Sequence, residues 1–481
     1  MIQERTSSET LLALDRAAPA PLYRQVYERY RAAIEQGVLR PGDRVASARS
    51  LASELGVARG TVETAYAQLS GEGYFAPQGQ AGTVVSPSLP VRRPGRREPR
   101  RTGPEPFGSQ PVAELAPPPL QLGIPALDAF PRKLWARVAA RRMRAMSAAD
   151  MFYGDPSGHP ALRAAVAAYL RVSRGVPCHP SQVFVTGGYR ASLALIAHTL
   201  LVKGDRVWVE DPGYPPTLEV LRRAGQRAVP VPVDEEGLDV VRGLRKAAKA
   251  RMAVVTPSHQ APLGVSMSLA RRLQLLDWAF AAKAWIVEDD YDGEYRYAGA
   301  PLPALKSLDG HDRVLYAGSF SKVLYPGLAL GYVVVPDSLR DAFTAAAATW
   351  SNGSPQITQA VVADFMREGH FSRHLKKMRL LYARRRAMLA AALRKAFGDH
   401  VRIDLQSGGM HLIARFHSRP ESDGELAQRA QTAGLNCQPL SRRGTAAFRD
   451  QGLLMGFTNI GSAAHAQQLA TRLRAALGRE S

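Results

Sequence analysis

Cysteine is nearly absent: Cys178 and Cys437 are the two in 481 residues. Two distant thiols make neither a disulfide framework nor a four-ligand metal cluster, and they fit a reducing compartment. Long apolar runs are missing too, since none approaches the ~18 residues that a membrane-crossing helix needs. The opening stretch, MIQERTSSETLLALDR, sets acidic groups on both sides of a very short apolar segment, which does not fit a secretory leader. Acidic residues are outnumbered, 42 against 63 Lys and Arg, for a formal charge of +21. The expectation is a soluble, cytoplasmic protein with a polyanionic partner, because charge bears on association and not on fold. Apolar residues are plentiful at 46%, enough for a sizeable core. At roughly 100–200 residues per domain the length predicts two to four domains.

From Pro21 the pattern becomes helical: Leu22, Val26, Tyr30 and Ile34 recur every fourth residue, and Gly37 with Pro41-Gly42 marks the end. Leu51 and Leu55 predict a short second helix broken at Gly56. Val62, Ala65 and Leu69 predict a third, stopped by Gly71 and Gly73. The run YFAPQGQAGTVV, Tyr74 to Val85, reads as a glycine-rich hairpin. Next comes a stretch rich in Pro, Gly and Arg, with six arginines and one glutamate between Arg92 and Arg101, the composition of an extended linker. Beyond about residue 120, short β-rich runs alternate with helical segments. The runs are Val183–Val185, Val207–Val209, Ala253–Val255, Trp285–Val287, Val314–Tyr316 and Tyr332–Val335. Such alternation predicts an α/β domain with a mostly parallel sheet, and no internal repeat accompanies it.

Two short helices across a turn, followed by a hairpin, form a winged helix-turn-helix pattern whose second helix enters the major groove. That helix is expected to begin near Ala58 and to present Arg59, Thr61 and Thr64. Ser47 and Arg49, at the start of the preceding helix, are placed to grip phosphate, and Gly82 in the wing lets backbone approach DNA. Residues 21–85 hold seven arginines against six acidic residues, so the large overall charge is not concentrated here. A helical bundle with a hairpin that meets no nucleic acid is the competing reading.

Four segments of the larger domain carry chemistry. In Gly318-Ser319-Phe320-Ser321-Lys322 a strand ends at a small, hydroxyl-rich turn with one lysine, an arrangement that suits a Schiff base with an aldehyde cofactor. In Glu288-Asp289-Asp290-Tyr291-Asp292, Asp289 could hold a pyridine nitrogen protonated and Tyr291 could meet a phenolic oxygen. The same acids also suit a divalent cation, but neither a histidine nor a phosphate-loop motif accompanies them, and no metal is expected. Gly187-Gly188-Tyr189-Arg190 precedes an apolar helix and offers free N–H groups to an anion. In Asp211-Pro212-Gly213-Tyr214 the tyrosine could stack on a ring.

The strings PLYRQVYERYRAAIEQGVLRPGDRV, SARSLASELGVARGTVETAYAQLSGEGYF and GTVV resemble the GntR-type DNA-binding domain. Val45-Ala46 and Gly60 depart from its usual pattern, Gly60 at a propensity cost of up to about 1 kcal/mol. YGDPSGHPALR, VTGGYRASL, EDPGYPP, TPSHQAPLGVSMS, VEDDYDGEYRYAG and GSFSKVLYPGLALGY resemble the fold type I aminotransferases that use pyridoxal 5'-phosphate (PLP), and more narrowly the MocR/GabR-type regulators. The resemblance implies a multidomain chain. Residues 19–86 form an α+β winged helix-turn-helix and 87–119 a linker. Residues 120–478 form an α/β aminotransferase-like domain with a smaller C-terminal α+β lobe.

It further implies that Lys322 is the covalent (internal aldimine) anchor of PLP. Asp289 faces the pyridine nitrogen, Tyr291 the phenolic oxygen and Tyr214 the ring. Ser319 and Gly187, Gly188 and Tyr189 hold the phosphate, and Tyr153 reaches the phosphate of a partner subunit. His259 and Gln260 replace the asparagine side of the aminotransferase site. The family's phosphate-binding arginine is absent: Pro326-Gly327-Leu328 is followed by Ala329. Arg190, where glutamine is usual, is expected to stand in for it. Arg442 or Arg443 would bind an effector carboxylate through the guanidinium fork, and the residues do not decide between them. The implied function is a homodimeric regulator on double-stranded operator DNA, sensing a small amine, an amino acid or PLP itself. An active aminotransferase with a regulatory head, or a regulator that has lost PLP, are the alternatives. As a regulator the chain is not expected to be an enzyme, a residual transaminase half-reaction aside.

Overall fold

The computed structural model describes residues 14–16, 18, 20–79, 82–89, 117–297, 303–350, 355–417 and 420–478. The run Arg92–Arg101 lies outside the described residues. The chain divides into two compact units, residues 1–113 and 114–481. Among the described residues no helix is long and apolar enough to cross a membrane.

In the first unit the helices Leu22–Glu35, Ala48–Leu55 and Arg59–Gly71 precede an antiparallel hairpin of β1 (Phe75–Pro77) and β2 (Thr83–Val85). The predicted stripes are what they bury: Val26 and Tyr30, then Leu51, then Val62, Ala65 and Leu69. Tyr30, Tyr66 and Phe75 meet edge to face at 5.1–5.6 Å and tie the third helix to the first and to the hairpin. The Tyr66 hydroxyl donates to the Ala46 carbonyl at 2.9 Å, so Ala46 serves through its backbone. Ser47 caps the second helix by accepting from Ser50 N, and Gly56, at φ 62°, ends it.

The second unit is built on an eight-stranded sheet in the order β3-β10-β9-β8-β7-β4-β5-β6. The strands are β3 (Val183–Thr186), β4 (Arg206–Asp211), β5 (Arg227–Asp234), β6 (Gly237–Leu238), β7 (Met252–Val255), β8 (Trp285–Asp290), β9 (Val314–Ser319) and β10 (Gly331–Val334). The central pairs are parallel, whereas β10 runs antiparallel to both β3 and β9. All six predicted runs are strands of this sheet. Alternate side chains feed two cores: Val207, Val209, Val254, Val287 and Leu315 on one face, Trp208, Ala253, Val255, Ile286 and Val314 on the other. Burial on both faces is why these strands read as unbroken apolar runs.

A second, antiparallel sheet, in the order β11-β12-β14-β13, forms the smaller lobe. Its strands are β11 (Val401–Asp404), β12 (His411–Phe416), β13 (Gln438–Pro439) and β14 (Leu453–Gly456), packed with helices His370–Phe397, Asp423–Thr432 and Ala463–Leu477.

The carboxyl ends of β3, β4, β7, β8 and β9 lie along one edge of the large sheet, where open α/β sheets place their ligand crevice. There the Asp290 carboxylate accepts from Arg174 Nη2 and from the Tyr316 hydroxyl, each at 2.5 Å, with Arg174 4% and Asp290 1% exposed at the side chain. Asp290→Ala removes the carboxylate that this buried guanidinium grips. We expect it to cost about 3–5 kcal/mol, measured by denaturant unfolding of the cofactor-free protein.

Candidate cofactor cavity and nucleic-acid interface

A cavity of ≈ 320 Å³ opens at that edge, and its wall includes Lys322, Asp289, Tyr291, Tyr214, Ser319 and Arg443. β9 ends at Ser319, whose hydroxyl caps the short helix Phe320–Val323 and thereby fixes Lys322 one turn in. The lysine Nζ donates to the Gly123 carbonyl at 2.9 Å. Gly123 is at φ +70°, and a Cβ there would stand 2.5 Å from Nζ. Burial pulls the Lys322 amine below the usual lysine range, against the opposing pull of Asp292 and Asp289.

Asp289, next to last in β8, lines the cavity. Burial drives its carboxyl well above the usual range, reinforced by Asp290, Glu210 and Asp292. A carboxyl held that way is stabilised by a cation brought against it. Tyr214 lines the wall at 40% exposure, with the Tyr189 ring 5.9 Å away. Tyr189 begins the helix Tyr189–Leu200, which is capped by Gly188 at φ 96°, and its hydroxyl meets Thr217 Oγ1 at 2.7 Å. A Cβ on Gly331 would come within 2.9 Å of Gly188 Cα, so this glycine loop is packed directly on β10. A half-buried amine, a buried carboxyl, a phenol, a ring face and a helix N-terminus fit a phosphorylated pyridine aldehyde.

Several expected residues stand elsewhere than on the wall. His259 is one layer behind it, its Nδ1 3.0 Å from the Tyr291 hydroxyl. Gln260 spends its amide on Glu210, the Pro212 carbonyl and the Ala261 carbonyl, so the β7 loop brings Ala261 and Pro262 to the cavity in their place. Arg442 is exposed and absent from this wall, while the neighbouring Arg443 lines it. Arg190 is exposed beside Tyr214, whose phenol it draws down against the stronger upward push of burial. Gly187 and Ala329 are exposed, Ala329 in left-handed backbone at φ 46°. Tyr153 is 84% exposed, alongside Met151 at 72% and Phe152 at 75%.

Sequence reasoning missed other parts. His411, on β12, lines the cavity, and burial, aided by His259, pulls its imidazole down to about 4. Gly123, Asn436 and Gln438 also belong to the wall. The small lobe is latched to the Tyr214 loop. Asp211 accepts from Thr445 N at 2.8 Å and from Thr445 Oγ1 at 2.7 Å, and Gly213 N donates to the Arg443 carbonyl at 2.9 Å. No local pattern announces contacts across such sequence distances.

In the first unit Arg49, Arg59, Thr64 and Gly82 are exposed, and Thr61 is half-buried. Arg59 is paired with Glu63 at 2.7 Å, Thr64 Oγ1 donates back to the Gly60 carbonyl, and the Ser47 oxygen is engaged as a cap. Arg44, which sequence reasoning passed over, packs its guanidinium beside Gly82 in the wing. Nothing lies within 4 Å of a Cβ placed on Gly60, so the front of the recognition helix is open there.

Residues 22–85 match the family "Bacterial regulatory proteins, gntR family", and residues 120–473 match "Aminotransferase class I and II". The chain is 40% identical over 460 residues to the "Probable rhizopine catabolism regulatory protein MocR" of Rhizobium meliloti, covering 94% of this chain and 92% of that one. It is 34% identical to the "HTH-type pyridoxine biosynthesis transcriptional regulator PdxR" of Corynebacterium glutamicum, over 93% and 94% of the two chains. Among solved structures, the alpha-aminoadipate aminotransferase LysN of Thermus thermophilus, complexed with N-(5'-phosphopyridoxyl)-L-leucine, superposes with a TM-score of 0.67. It is 28% identical and covers 74% of this chain and 91% of that one. The chain therefore belongs to the MocR-type transcription regulators, in which a gntR-family DNA-binding domain is joined to an aminotransferase class I and II domain of the PLP-dependent fold.

Proposed function

We propose that PLP bound at Lys322 makes the larger unit a sensor for a small amine or amino acid, and that its state sets how the winged helix-turn-helix engages operator DNA. The observation that carries this is the half-buried Lys322, its amine held toward its neutral form in a cavity that also presents Asp289, Tyr291 and Tyr214. When bound, the cofactor supplies an aldehyde carbon for which Lys322 and incoming primary amines compete. Asp289 holds the ring nitrogen's proton, Tyr291 meets the phenolic oxygen and Tyr214 covers the ring. Ser319 and the Gly187–Tyr189 turn bind the phosphate, with Arg190 supplying the cation that Ala329 does not.

Arg443 receives the effector's carboxylate. Burial pulls its guanidinium below the usual range, opposed by Tyr214, so an anion in the cavity supplies a counter-charge. Two copies of the chain associate in the bacterial cytoplasm, the exposed Met151-Phe152-Tyr153 segment meeting the partner and bringing Tyr153 to its phosphate. Paired heads then read two half-sites. Turnover of amino-acid and keto-acid panels at ordinary enzymatic rates would make catalysis the output instead.

Three measurements check this. Purified protein titrated with PLP should gain a visible absorbance band that Lys322→Ala lacks, and Gly123→Ala should weaken loading about tenfold or more. In the loaded protein, Arg443→Gln should weaken the spectral response to amino acids about ten- to a hundredfold, the value of a charge-assisted contact, while Arg442→Gln leaves it unchanged. In operator binding, Arg59→Ala should cost about 1–3 kcal/mol and relax specificity, and Arg49→Ala should reduce the salt slope by about one. If neither arginine matters, the recognition helix has been misplaced.

A further inference from the structure

The layer behind the cavity wall holds two polar groups that the proposed function leaves unused, Asp292 and His259. Asp292 is 1% exposed, and neither of its carboxylate oxygens has a hydrogen-bond partner among the described residues. Its close contact is His259 Nδ1, 3.2 Å from Oδ1. The same Nδ1 lies 3.0 Å from the Tyr291 hydroxyl. His259 is 5% exposed, and its Nε2 is buried without a partner. The ring has no room to swing, because a Cβ on Gly409 would meet its Cε1 at 2.1 Å.

We propose that Asp292 is a positioning residue which, through His259, fixes the Tyr291 hydroxyl as a hydrogen-bond donor into the cofactor cavity. One ring nitrogen faces two oxygens, so two arrangements are open. With Nδ1 bare, it accepts the tyrosine proton, and its lone pair confronts the carboxylate at 3.2 Å while Asp292 keeps no donor at all. A buried carboxylate without donors is costly. With Nδ1 protonated, the N–H dipole stabilises the carboxylate and the Tyr291 oxygen becomes an acceptor. The tyrosine's own proton must then point elsewhere, and Tyr291 lines the cavity. Carboxylates fix histidine tautomers in this way at many sites.

The other ionisable groups facing the trio are His411, Lys322, Asp289, Glu210, Asp290 and Tyr297. Arg174 and Arg296 line the small cavity beside Asp292 and His259. Arg174 is paired with Asp290, and Arg296 donates to Ser407. His411, pulled down to about 4, is neutral near pH 7, and its Nε2 is engaged by the Pro262 carbonyl at 2.8 Å.

The inference rests on the cofactor reading, and its test is a spectrophotometric pH titration of the PLP-loaded protein. A Tyr291 proton donated to the cofactor's phenolic oxygen makes that oxygen hold the titrating proton less tightly. Asp292→Ala frees Nδ1 to take the Tyr291 proton, so the midpoint should rise by about one pH unit, tenfold in proton affinity. Tyr291→Phe should raise it similarly, and adding Asp292→Ala to Tyr291→Phe should raise it no further. Direct electrostatics has the opposite sign, since removing a negative charge near Lys322 lowers the midpoint. A fall, no change, or a further rise in the double variant overturns the proposal. Should Asp292→Ala not fold, Asp292→Asn keeps the volume and should give a smaller rise, with a fall or no change again overturning it. A wild-type protein without any visible band defeats the cofactor reading itself, and this inference with it.

Discussion

Four acidic side chains within five positions are withdrawn from water at the end of one strand, and each must find a different partner. Glu288 accepts from the backbone N–H groups of Leu305 and Lys306 at 2.8 Å. Asp290 takes Arg174 and Tyr316. Asp292 has His259. Asp289 alone of the four lines the cofactor cavity. Strand alternation makes the division, sending 288 and 290 to one side of the sheet and 289 to the other. The acidic cluster of the sequence thus divides into two residues held in structural contacts, Glu288 and Asp290, one that stands against His259, Asp292, and one on the cavity wall, Asp289. The cavity depends on this partition, because an acid that strayed to the wrong side would leave a buried cation without its charge.

The fold was legible wherever its cause was local. Apolar runs gave the parallel strands, four-residue spacing gave the helices of the head, and the small, hydroxyl-rich turn after β9 gave Lys322. The strands at one margin of the sheet escaped notice: β5 carries Pro230 and Pro232, which read as loop, and it tolerates them beside the two-residue edge strand β6. Site residues escaped when their place depends on distant chain. Gly123 meets Lys322 across 199 positions, and Thr445 meets Asp211 across 234. His259 could be named from its string, but not its depth: whether a loop residue reaches a wall or stands behind it is set by the packing of Gly409 on its ring.

The latch between Asp211 and Thr445 joins the two questions a sensor must answer. The loop bearing Tyr214, proposed to cover the ring, is tied through Gly213 to the backbone of Arg443, proposed to receive the effector. On that reading, an anion drawing on the guanidinium pulls on the segment that packs the cofactor. Differential contact of this kind is what lets a ligand favour one of two states.

The head imposes the complementary constraint. Its net charge is small, and its candidate DNA contacts are already engaged: Arg59 with Glu63, Thr64 with its own helix, Ser47 as a cap. If these are the contacts, each gives up a partner to meet DNA, and on the proposed reading one head alone gains little on binding. In the proposed dimer the second head binds at an effective concentration set by how the pair is held, and avidity rises or collapses with that geometry. On the proposed reading, a weak head is what makes the larger unit decisive. Were each head strong by itself, no rearrangement at Lys322 could release it from DNA, and the cavity would have nothing to control.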